Sequence, residues 1–307
     1  MAIFSSKGRH SAKKSNGKKI ILILLIILII ASLVAVAIHY TAPLFTKEDV
    51  VETQAPTTTI IQDDPHMGQI EIPYVEDMDK NEYDKDGFAL DENGFMTYTE
   101  NGKVISHIGI DASEHQGDID FAQVKAQGVE FVLLRIGGRG YGSEGSMYPD
   151  TKFDEYYENA KNAGLKVGGY FFSQARNAQE GREEAEYALE ILDGRELDYP
   201  LAFDWELIEN EPSARTNGVS AKDLTDAATA FCETVSDHDI TPVIYINSSL
   251  IYTNYDLTKI KDYDLWHAEY TSTPSLFYNF TIWQYTYEGS IEGISGNVDI
   301  NVCMKEY

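Results

Sequence analysis

Four acidic residues in this sequence sit where they could do chemistry: Asp111, Asp204, Glu206 and Asp299. Asp204 and Glu206 stand two apart in Phe203-Asp204-Trp205-Glu206. On a β-strand that spacing points both carboxyls to one face, about 6.6 Å apart along the chain. Leu201, Phe203 and Trp205 then face the other way. Two carboxyls aimed into one confined space repel, so one of them holds its proton to higher pH than it would alone. A protonated carboxyl beside an ionised one is the pairing that glycosidic-bond hydrolysis uses. A single buried acid is commonly structural, but four acids gathered at one end of a sheet are harder to explain as structure alone.

Aromatic residues accompany the acids. Tyr170, Phe172, Tyr245, Trp266, Tyr270 and Trp283, with Gln284, are candidates for holding a sugar, whose C–H faces stack on aromatic rings. Core packing is the competing reading for Phe172 and Trp266. Other chemistry finds little support. The seven histidines show no metal-ligand spacing, and neither a metal nor a cofactor is expected. Cys232 and Cys303 form no C-x-x-C motif, and their pairing stays open. No G-x-S-x-G elbow, dinucleotide fingerprint or Walker loop is present.

The elements that must position these residues alternate. Strand patterns cover 107–111, 130–136, 166–172, 200–205, 242–247, 264–270, 280–285 and 298–302. Helical patterns cover 119–127, 151–163, 178–193 and 220–238, with Gly128 and Gly164 placed as helix C-caps. The last three strands are joined by short irregular pieces. Eight strands in about 200 residues predict a closed, parallel β/α barrel, with an open doubly wound sheet as the alternative. A parallel barrel gathers its active site at the C-terminal ends of the strands. Asp111 closes strand one there, Asp204 and Glu206 close strand four, and Asp299 lies in strand eight. Strands one and eight are neighbours in a closed barrel, so Asp111 and Asp299 are expected to share a hydrogen-bonded site beside Glu206.

The chain of 307 residues carries 24 basic and 50 acidic residues, a net charge of −26. That balance argues against a nucleic-acid partner, which needs basic patches. Six basic residues lie at or before Lys19, and no acid appears until Glu48. The basic tail 1–19 precedes an apolar run, 20–38, whose length matches the roughly 28 Å that a helix needs to cross a bilayer. The positive-inside rule puts this tail in the cytoplasm and the remainder outside, as a single-pass membrane protein. A cleaved signal peptide, with Ala35-Val36-Ala37 as the cleavage site, is the alternative and would give a secreted form. Residues 39–83 have linker composition, with Pro43, Pro65 and Pro73. Residues 84–106 carry Asp86-Gly87, Asn93-Gly94 and Asn101-Gly102 turn signals and predict a short β-hairpin segment. The barrel is expected over 107–307.

Residues 107–303 resemble glycoside hydrolase family 25, a family of peptidoglycan-cleaving lysozymes. The matching pieces are Gly109-Ile110-Asp111-Ala112-Ser113 with Gln116-Gly117, and Phe131 through Arg135. Gly164 through Ser173, the Phe203–Glu206 quartet and Leu265 through Tyr270 match too. So does Trp283-Gln284-Tyr285, running on through Gly293 to Asp299. The resemblance implies a modified β/α barrel of five βα units and three further strands. It implies cleavage of the β-1,4 bond between N-acetylmuramic acid and N-acetylglucosamine. It makes Glu206 the general acid and Asp204 its assistant, either orienting the substrate's N-acetyl group or acting on water. Asp111 and Asp299 match the remaining active-site acids. His267 departs from the family's usual apolar residue, facing away from Trp266. The expected partner is peptidoglycan glycan, with no obligate protein partner. A catalytically silent wall-binding module and a hydrolase of another N-acetylated polysaccharide are the competing functions.

Overall fold

The structure, a computed structural model, describes residues 58–65, 67–208 and 210–307. The basic tail 1–19, the apolar run 20–38 and the first part of the expected linker lie outside the described residues. Among the described residues no helix is long and apolar enough to cross a membrane.

Two small sheets come first. Strands β1 (Thr59–Asp64) and β2 (Gly68–Pro73) pair antiparallel. Strands β3 (Phe88–Leu90), β4 (Met96–Glu100) and β5 (Lys103–Val104) form the second sheet. Asn101 and Gly102 both take positive φ, the signature of the two-residue turn that joins β4 to β5. Asp86-Gly87 sits instead in a single 3-10 turn, capped by Asp84. Residues 58–83, expected as linker, are thus partly folded.

Eight further strands close into a barrel: β6 (His107–Ala112), β7 (Phe131–Arg139), β9 (Lys166–Ser173), β10 (Leu201–Trp205), β11 (Pro242–Asn247), β12 (Asp264–Ala268), β13 (Ile282–Gly289) and β14 (Val298–Cys303). A short β8 (Met147–Pro149), which no sequence pattern announces, pairs with the end of β7. Helices α1 (Phe121–Ala126), α2 (Phe153–Asn162), α3 (Ala178–Leu192) and α4 (Ala221–Ser236) lie between successive barrel strands. Two short helices, α5 (Ser248–Asn254) and α6 (Leu257–Ile260), follow β11. The architecture is five βα units and three more strands. Gly128 and Gly164 have positive φ just beyond α1 and α2, as their helix-ending role requires.

The barrel strands β6, β7 and β9 to β13 run parallel to one another, but β14 runs antiparallel to both β13 and β6, and the short β8 runs antiparallel to β7. This corrects the expected all-parallel barrel. The interior is packed by Phe131, Leu133, Ala202, Val243, Ile282 and Cys303. The outward residues, such as Phe203 against Phe231 of α4 at 5.3 Å, pack under the helices. At the floor, the Tyr307 hydroxyl donates to Asp264 at 2.9 Å while its ring lies 5.3 Å from that of Tyr199. Cys232 and Cys303 are free, buried thiols.

Among the described residues no helix packs broadly on β12, β13 or β14. Residues 73–100 cover them instead. Phe88 stands edge-on to Trp283 at 5.4 Å, and Tyr83 packs on Phe280 at 5.2 Å and donates to its carbonyl at 2.8 Å. The Tyr278 hydroxyl donates to the Pro73 carbonyl and accepts from the Val75 amide. The Tyr285 hydroxyl accepts from the Met96 amide. Without this cover Tyr278, Phe280 and Trp283, at most 1% exposed, would face water. A chain beginning at His107 is therefore expected to be insoluble or molten, and one beginning near Thr58 to fold. Phe88→Ala should lower the unfolding free energy by about 3 kcal/mol in urea titrations; an unchanged midpoint would show that the cover only rests on the barrel.

Candidate active site

The reversal of β14 decides where Asp299 lies. It is the second residue of its strand, and at the C-terminal mouth it pairs directly with Asp111, which lies near the end of β6. In a parallel strand that position would have put it near the floor. Asp204 comes up on β10, and Glu206 follows the strand's last residue. The four carboxyls line one open cavity of about 250 Å³. Tyr170, Phe172, Tyr245, Trp266, Tyr270 and Gln284 line it with them, as do Ser113, His115, Gln116 and Arg135.

Hydrogen bonds fix the orientation of the deeper groups. Trp266 Nε1, which can only donate, gives its hydrogen to Asn301 Oδ1 at 2.7 Å. That turns Asn301 Nδ2 onto Asp111 Oδ2 at 2.8 Å. Gln284 Oε1 accepts from the Tyr270 hydroxyl at 2.9 Å, so its Nε2 donates to the same Asp111 oxygen at 2.9 Å. Asp111 also hydrogen-bonds Asp299. Burial, then the nearby charge of Asp299, pushes the Asp111 carboxyl well above the usual range. Burial raises Asp299 as well, while its hydrogen bond with Asp111 pulls it down, and one proton between the two carboxyls satisfies both.

Burial also raises Asp204 well above its ordinary value, reinforced by the charges of Glu206 and Asp299 and opposed by Arg135. Glu206 is raised too, by burial and by the charge of Asp299, while a hydrogen bond from Tyr245 pulls it down. The two titrate as one system, so a proton held at the mouth belongs to the pair. Asp204 Oδ1 is buried with no hydrogen-bond partner. Such an oxygen is costly unless a water or a ligand meets it.

Arg135 enters from β7, where the sequence FVLLRIGGR hides a cation inside an apolar run. Its Nε donates to Asp150 at 2.7 Å and its Nη2 to Glu114 at 3.1 Å. Asp150 also accepts from the Glu114 amide at 3.0 Å, binding the turn after β6 to the loop after β8. Gln174, fully buried, donates to the Glu206 carbonyl at 3.1 Å and accepts from Thr216 at 3.1 Å, anchoring the backbone that carries the acid. Among the described residues no three His, Cys, Asp or Glu side chains are grouped as a metal site needs.

One candidate lies away from the cavity. Trp283 is not at the site: Gln284 faces in, so its neighbour faces out, under Phe88, with its indole N–H on the Glu269 carbonyl at 2.8 Å. Trp266 does reach the cavity but is 1% exposed, edge-on to both Tyr170 and Tyr245. It forms the floor and offers no free face. Phe172 and Tyr270 are the open rings. His267 points away from the cavity, bonded to Glu269 at 3.0 Å and packed on Phe280. Arg135, Asn301 and Gln174 join the site without having been expected there. Their signal was a polar side chain in or beside a strand otherwise apolar.

The comparisons agree with this geometry. The model of glycosyl hydrolases family 25 matches residues 110–294. The chain is 32% identical over 194 residues to the autolytic lysozyme of Clostridium acetobutylicum, covering 63% of this chain and 54% of that protein. It is 32% identical over 207 residues to lysozyme M1 of Streptomyces globisporus, covering 63% and 66%. The chain thus spans about half to two thirds of the length of these relatives. The autolysin LytC of Streptococcus pneumoniae, solved with a synthetic peptidoglycan ligand, shares the fold at TM-score 0.57 and 22% identity, covering 70% of this chain and 52% of that one. The family match covers the greater part of the chain, and the chain belongs to glycosyl hydrolases family 25.

Proposed function

We propose that the barrel is a lysozyme, cleaving the β-1,4 bond between N-acetylmuramic acid and N-acetylglucosamine in peptidoglycan. The observation that carries this reading is the Asp204–Glu206 pair at a Tyr-lined mouth, with Asp204 Oδ1 buried and unpartnered. A substrate acetamido group has the N–H that this oxygen lacks. Such a bond stabilises ionised Asp204 and leaves the shared proton on Glu206. Glu206 then protonates the departing glycosidic oxygen. Held by Asp204, the acetamido oxygen attacks the anomeric carbon as the bond breaks, and water completes the hydrolysis. Asp111 and Asp299 hold the wall beside this pair and set its charge. The relatives named lysozymes support the reading. So does the intact acid pair, which a silent binding module would have no need to keep.

We also propose that the run 20–38 anchors the chain in a membrane, with the barrel outside near the wall. Externally added protease should then cut residues 41–57 in intact, wall-stripped cells, and their full protection would refute this orientation.

The chemistry is tested by release of reducing ends from purified peptidoglycan. Glu206→Gln should fold normally and lose at least about a hundredfold in kcat. Asp204→Asn should lose about a hundredfold or more, because the developing charge goes uncompensated. Near-normal turnover in Glu206→Gln would place the acid elsewhere. The pH profile gives a separate check. The acid works only while protonated, so kcat/KM falls as pH rises through its pKa. The charge of Asp299 raises that pKa, so Asp299→Asn should move the alkaline limb to lower pH. An unmoved or upward-shifted limb would show that Asp299 does not act on Glu206.

A further inference from the structure

We propose that Tyr287 and Tyr270 form an aromatic corner at the rim of the cavity that binds a further pyranose ring of the same glycan strand. The proposal rests on the glycan-hydrolase reading above and names a contact beyond the bond that is cut.

The pairing of β13 with β14 places Tyr287. Gln284 is opposite Asn301 and Thr286 is opposite Ile300, so Tyr285 is an extra residue in its strand. Asn301 faces the interior, bonded to Asp111, while Ile300 belongs to the outer core. Gln284 therefore faces in and Thr286 faces out. Tyr285 faces out as well, with its hydroxyl on the Met96 amide. The next residue, Tyr287, lies at a second irregularity, between Thr286 and Gly289, and its ring turns onto that of Tyr270, which lines the mouth. In an uninterrupted strand Tyr287 would share the outward phase of Trp283 and Tyr285 and lie on the cover. Bulges re-aim side chains in this way.

The ring contact fixes where the residue lies. Tyr287 lies 4.7 Å from Tyr270 with the planes at 70°. Tyr270 lines the cavity, and its hydroxyl is tied to Gln284, which holds Asp111. The corner is thus locked to the acid site through two hydrogen bonds. Yet Tyr270 is 44% exposed and Tyr287 51% exposed. Ring faces left open beside a polar cavity, and held at a fixed angle, suit a sugar with its apolar C–H face and hydroxyl rim. The exposed Glu288 beside Tyr287 disfavours an anionic peptide there.

The test uses the full chain. On long glycan strands Tyr287→Ala should raise KM roughly threefold to tenfold with kcat unchanged, the range that one aromatic contact gives. On the shortest oligosaccharide that is cleaved, KM should stay as in the wild type, and Tyr287→Phe should behave as wild type on both. Binding of uncleaved strands to the Glu206→Gln protein, with and without Tyr287→Ala, should show the same ratio. That arm reads the corner whether or not glycan is cut. An unchanged dissociation constant for long strands would overturn the proposal. Equal losses on short and long substrates would also overturn it, by placing the effect at the reacting sugars. Wild-type protein that binds strands through Tyr287 but releases no reducing ends would refute the lysozyme reading and leave the corner standing.

Discussion

One buried carboxyl, that of Asp111, ties together the strands that close this barrel. Its Oδ2 takes hydrogens from Gln284 of β13 and Asn301 of β14, and those amides are turned the right way by Tyr270 and by Trp266 of β12. The chain Trp266–Asn301–Asp111–Gln284–Tyr270 therefore spans the seam where the two ends of the sheet meet. A buried polar network is worth having only when every member is satisfied, and here each amide has both of its ends engaged. The seam is also the wall of the cavity. The bonds that close the fold set the angle of Asp299 and, through its charge, the proton affinity of Glu206.

Among the described residues the same seam has little helical cover, and the consequences reach residues 73–100. Parallel strands are normally covered on both faces. Here Phe88, Tyr83 and the backbone around Pro73 and Met96 supply the second cover over β12–β14. Two small sheets that would be marginal alone gain their stability from aromatic rings they could not bury among themselves. The barrel and its cover depend on each other.

Much of this could be read from the amino acids. The barrel strands are buried on both faces and appear as continuous apolar runs such as Phe131–Leu134. The helices from α1 to α4 show their period and caps. The acids and six of the seven candidate ligand-binding residues reach one cavity. What stayed hidden has physical causes. The cover buries few residues, such as Val75, Met78 and Phe88, spaced without a period among polar ones. The short helices α5 and α6 offer too few turns for a pattern. Trp283 lies under the cover, and strand alternation with Gln284 already faced it outward. The direction of β14 did leave a trace. The connection 290–297 is shorter than the dozen or so residues that a parallel crossover needs, whereas 269–281 is long enough.

The floor of the barrel is closed by Tyr307. Tyr307 lies against Tyr199 and bonds Asp264, beneath an interior filled by Phe131, Leu133, Val243 and Ile282. Among the described residues the barrel is a blind well, packed below and open where the acids lie. A polymer cannot be threaded through it like a needle's eye; it has to be draped across the rim. Access to the acids then needs no free chain end, and both flanks of a draped strand remain in the open, one on either side of the mouth.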